Sequence, residues 1–118
     1  MALQTRVLRV QGVYYVLTGL WPLVHLRSFE AVAGPKTDDW LVHMVGLLVA
    51  VIGATLLVAA RAWHGRREIL VLAVGSAIAF TAIDVWYVIA GTISGVYLAD
   101  AVVEVGLIML LVVTHRRG

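Results

Sequence analysis

The chain contains no cysteine. That excludes disulfides, thiol redox chemistry, cysteine nucleophiles and thiolate-bound zinc or iron–sulfur centres. Charge is scarce as well: 14% of the 118 residues are charged, against about 25% in an ordinary soluble domain. So few charges cannot keep the surface of a small soluble fold hydrated, so the composition points to lipid as solvent. No Gly-rich phosphate loop, nucleophile elbow or nucleotide fingerprint is present. The length leaves room for one domain and for no separate soluble catalytic unit.

What is abundant is apolar sequence, at 62% of residues. A helix needs about 20 mostly apolar residues to cross a bilayer core. Residues 10–26 and 40–60 carry no Asp, Glu, Lys or Arg. Residues 69–90 are interrupted by Asp84, and residues 96–114 hold Asp100 and Glu104. Period-2 alternation is missing, and open sheet edges cannot face lipid. The expected fold is an all-α integral membrane protein, an antiparallel bundle of four transmembrane helices near 6–29, 40–62, 67–90 and 96–115. The connections between these runs are short and polar, too short to fold independently. Pro22 removes a backbone donor inside the first span, where a kink is expected.

The nine basic residues sit at the ends of the runs. Arg6, Arg9, Arg61, Arg66, Arg67, Arg116 and Arg117 fall on one side, and Arg27 and Lys36 on the other. This asymmetry sets both termini in the cytoplasm, with a bacterial inner (cytoplasmic) membrane as the expected location. It reads as topology charge and not as a nucleic-acid surface. Trp40 and Trp63 bracket the second span as interfacial anchors would. Arg6, Arg9 and the small-residue triplet Ala31-Val32-Ala33 imitate a secretory signal. Arg27 and Glu30 near that site, and Trp21-Pro22 within the apolar run, argue for a retained span instead.

Helices in lipid associate through close packing and polar contacts. Gly46, Ala50, Gly53 and Ala54 on the second span, and Ala73, Ser76, Ala77 and Thr81 on the third, would let backbones approach. Intramolecular packing is the expected use of these faces, and they also allow a homodimer seam.

The polar residues gather at one end. Asp84 lies roughly 10 Å from the outer end of its helix, and Asp100 and Glu104 roughly 8 and 14 Å deep. His43 opens the second span and His25 closes the first. Asp100 and Glu104 are i and i+4, with Tyr97 at i−3 from Asp100, so all three share a face. Gln11, Tyr14 or Tyr15, Thr18, Trp21 and His25 form a stripe on the first helix, and Thr81, Asp84, Tyr87 and Gly91 one on the third. These faces are expected to converge on an outward-facing pocket walled by Trp21, Trp86, Tyr87 and Tyr97. A carboxylate near mid-membrane costs about 2.5–3.5 kcal/mol on insertion scales. Three of them in one small chain therefore call for a purpose.

The leading expectation is a site for a small lipophilic or amphipathic ligand, lined by His43, Asp100, Tyr87, Tyr97, Trp86, His25 and Trp21. If the site is catalytic, Asp84 and Glu104 would be the acid and base of an isomerase, cyclase or hydrolase acting on a lipophilic substrate. A proton-coupled small transporter is the third reading, since intramembrane acids are relay candidates. No Glu-x-x-His or His-x-x-x-His spacing occurs, so neither a metal nor any other cofactor is expected.

Overall fold

A computed structural model describes residues 2–34 and 39–117, the last two by backbone alone. Five helices follow in order: α1 (Ala2–Val24), α2 (Leu26–Ala33), α3 (Asp39–Arg61), α4 (Arg67–Ile89) and α5 (Tyr97–Arg117). No strand occurs among the described residues. α1, α3, α4 and the stretch Tyr97–His115 of α5 are each long and apolar enough to cross a membrane. The protein is an all-α bundle of membrane-embedding helices.

Three of the four long helices fall within two residues of the expected spans at both ends. The first does not. α1 begins at Ala2 and stops at Val24, and a separate short helix follows. Pro22 has no N–H to give the preceding turn. His25 then leaves helical geometry, with φ −148° and ψ 82°. From this position it caps α2: its Nδ1 accepts the Ser28 N–H at 3.2 Å. α2 is amphipathic and folds back on α1. Trp21 Nε1 donates to Ser28 Oγ at 2.8 Å, and the Trp21 and Phe29 rings meet edge to face at 5.5 Å. The polar run His25, Arg27, Ser28 and Glu30 suits an interfacial helix better than the end of a span.

The helix ends follow local chemistry. Asp39 opens α3 and Arg61 closes it, each matched to the helix dipole. α4 ends in a Schellman motif: Gly91 N–H bonds Val88 O at 3.0 Å and Thr92 N–H bonds Tyr87 O at 2.9 Å. The motif needs a left-handed residue, and Gly91 supplies it at φ 77°.

The most extensive packing is between antiparallel α1 and α3. Gly12 and Gly19 are seven residues apart on α1, as Gly46 and Gly53 are on α3, so the two pairs meet along one seam. A Cβ at Gly19 would lie 2.5 Å from Gly46 O, and one at Gly53 would lie 2.6 Å from Gly12 O. Real Cβ atoms essentially never come that close, so the seam requires glycine at these positions. Ala50, expected on the small face of α3, packs beside Gly19. Ala54 is exposed instead. On α4, Ala73 and Ala77 are fully buried.

The other face of α1 meets α5, which packs in turn on α4. Val7, Leu8, Leu56, Ala60, Leu107 and Leu111 fill the half of the bundle that holds the chain termini. Polar side chains tie this half together. Gln4 Oε1 accepts the Trp63 indole N–H at 2.6 Å, and Gln11 Nε2 donates to Ala73 O at 2.9 Å. Trp63 is therefore no interfacial anchor. It is 8% exposed and turned inward, because Gln4 gives its N–H a partner inside the bundle. Trp40, its expected counterpart, is exposed. Of the residues in the charge asymmetry, Lys36 and the side chains of Arg116 and Arg117 lie outside the described residues.

Candidate functional site

Asp84, Asp100 and Glu104 come together in the half of the bundle that carries α2 and the α4–α5 turn. α1 reaches them with two consecutive tyrosines. Tyr14 OH donates to Asp100 Oδ1 at 2.5 Å, and Tyr15 OH donates to Glu104 Oε1 at 2.7 Å. Adjacent helical residues diverge by about 100°. They can reach two acids on α5 because Asp100 and Glu104 are one turn apart on a single face.

Tyr15 is the pivot of the site. It is 1% exposed, and its ring meets Phe80 of α4 edge to face at 5.4 Å. Tyr14 lies beside it at 6.1 Å between ring centres. Glu104 is likewise 1% exposed. Thr18, the next polar residue of the α1 stripe, donates its hydroxyl back to Tyr14 O at 2.7 Å and contributes nothing to the acids.

α4 contributes Asp84, which is 5% exposed. Its carboxyl is in hydrogen-bond contact with that of Asp100. Its Oδ2 is buried with no hydrogen-bond partner. Among the described residues, the charged groups around it are Asp100 and Glu104, both acidic. Two tyrosine hydroxyls thus donate to two of the three carboxyl groups, Asp100 and Glu104. Buried polar atoms are ordinarily satisfied, and a carboxyl offers mainly acceptor sites. A hydrogen bond between the Asp84 and Asp100 carboxyls itself requires a proton on one of them, and Asp84 Oδ2 is the oxygen left without a partner.

The remaining expected residues divide. Tyr97 lies within electrostatic reach of Asp84 and Asp100 and is half-buried. Trp21 and His25 belong to the junction with α2. His43 is half-buried on α3. Tyr87 is 39% exposed and Trp86 72%. Trp86 sits two residues after Asp84, about 200° around the helix, and faces away from the acids. Together with Thr81, Ala82, Val85, Ile89 and Ala90 it lines a shallow apolar hollow on the outer surface of α4. Among the described residues, no three of His, Asp and Glu are disposed to share a metal ion.

Tyr14 and Tyr15 were both within reach of sequence reasoning as alternatives, and the structure uses both. Gln4 was outside it, and its only signal is an amide placed seven residues before Gln11, on the same face. No family model, curated protein or solved structure matches the chain.

Proposed function

We propose that this membrane-embedded protein binds a small lipophilic or amphipathic ligand whose polar head sits at Asp84, Asp100 and Glu104. One observation carries the reading: Asp84 Oδ2 is buried without a donor, inside a carboxyl cluster that already holds two tyrosine hydroxyls. A cluster serving only as interhelical glue would pair its acceptors internally, because each unmet buried group costs about 1–3 kcal/mol. Tyr14 and Phe80, both half-buried, supply the aromatic surface that an amphipathic ligand needs near the acids.

The membrane is a bacterial inner membrane in this reading, and both termini are cytoplasmic. The site then lies in the outer half of the bilayer and takes its ligand from that side.

The test separates binding from architecture. Asp84→Asn and Glu104→Gln are near-isosteric and remove the ionisable group. Both variants should keep their helicity and lose the small molecule that wild-type protein carries through purification, measured by mass spectrometry of the extract. If they retain it and change only thermal stability, the acids are structural and the reading fails.

A second reading draws on the Asp84–Asp100 contact. Two touching carboxyl groups, whose charged neighbours among the described residues are acids, hold a proton between them or exchange it for a cationic ligand. That is the exchange a proton-coupled small transporter performs. Ligand-driven proton movement in proteoliposomes, abolished by Asp84→Asn, would favour transport over simple holding.

A further inference from the structure

Resting on the binding reading above, we propose that the head group taken by this site is a primary ammonium on a lipophilic body. Tyr14 and Tyr15 have already given their hydroxyl protons to Asp100 Oδ1 and Glu104 Oε1. What remains toward the ligand is acceptor, above all Asp84 Oδ2. A ligand that completes the site must therefore bring N–H or O–H donors. It must also bring positive charge, since the charged neighbours of Asp84 among the described residues are acids.

Other ligand classes fit less well. A hydroxyl brings one donor and no charge. A quaternary ammonium brings charge and no donor. A metal ion needs several ligands converging on one point, which the described residues do not offer. An ammonium carries three donors and one positive charge, enough for Asp84 Oδ2 and a second carboxyl oxygen. The half-buried rings of Tyr14 and Phe80 are the aromatic surface nearest the acids for its body, while Tyr15 between them is fully buried.

Two sources share this chemistry: a free lipophilic amine and the head group of an aminophospholipid. Equilibrium binding of 2-phenylethylammonium to the whole protein in phosphatidylcholine nanodiscs tests the proposal. Its N,N,N-trimethyl analogue and 2-phenylethanol are the comparison probes. The primary ammonium should bind saturably and at least tenfold more tightly than either comparison. Asp84→Asn should weaken it tenfold or more, while Glu68→Gln, at the opposite end of α4, should leave it unchanged.

Nanodiscs containing phosphatidylethanolamine distinguish the two sources. Suppression of probe binding identifies the lipid head group, and unaltered binding identifies a free amine. The wild-type ligand series does not depend on any variant folding. Equal binding of the trimethyl analogue overturns the proposal. If 2-phenylethanol binds as tightly, with the same dependence on Asp84, the ammonium fails and the binding reading stands. If none of the three binds saturably, both fail.

Discussion

Tyr15 and Glu104 form a buried hydrogen bond between α1 and α5, 2.7 Å from hydroxyl to carboxyl oxygen, with each residue 1% exposed. It fixes the rotation of α5 about its own axis. With Glu104 turned to Tyr15, Asp100 one turn earlier must face Tyr14, and Asp84 of α4 comes against Asp100.

Tyr15→Phe removes the donor and leaves Glu104 buried without it. Interhelical hydrogen bonds in membrane proteins reach about 1.7 kcal/mol, so the variant should lose about 1–2 kcal/mol of stability in a reversible unfolding assay in bicelles. Tyr14→Phe should lose less, because Asp100 is only half-buried and water can replace the hydroxyl. Equal losses would deny Tyr15 its pivotal place.

The glycine seam makes a sharper contrast. Gly19→Ala and Gly46→Ala each push a methyl into a carbonyl oxygen 2.5 Å away. Overpacking of this kind typically costs about 1–3 kcal/mol. A Cβ at Gly75 or Gly106 would meet nothing within 4 Å. Alanine there should be neutral or should stabilise by up to about 1 kcal/mol through helix propensity. Thermal unfolding of the four variants side by side checks both halves.

Gln4→Leu strips Trp63 of its acceptor and α5 of the Gln4 amide contact to Leu111 O. Interhelical hydrogen bonds in membrane proteins average about 0.6 kcal/mol and reach about 1.7. A loss in that range is expected, with a change in Trp63 emission read against a background of Trp40→Phe, Trp21→Phe and Trp86→Phe. Unchanged emission would place Trp63 at the lipid interface after all.

Much of the fold is legible in the sequence because hydropathy and length are one-dimensional signals. α3, α4 and α5 follow directly from apolar runs bounded by polar turns. The break at His25 does not, since it depends on a histidine ring turning back to cap Ser28 and on Trp21 bonding the same residue. The gathering of Asp84, Asp100 and Glu104 at one end of the bundle follows from depth and helical phase. Which aromatic residues accompany them does not. Trp86 shares the depth of the acids, yet it stands about 200° around α4 from Asp84 and faces outward. Gly46 and Gly53 could be read as a packing face, but their partners Gly12 and Gly19 emerge only when the two helices are laid antiparallel in register.

The central claim is that Asp84 Oδ2 awaits a donor from outside the chain. A density map of wild-type protein in native-lipid nanodiscs, at a resolution that shows side chains, tests it most directly. The account predicts non-protein density about 3 Å from Asp84 Oδ2, between α4 and α5. Asp84 Oδ2 itself bonded by a donor of the chain, or turned out to lipid with no such density beside it, would contradict the account.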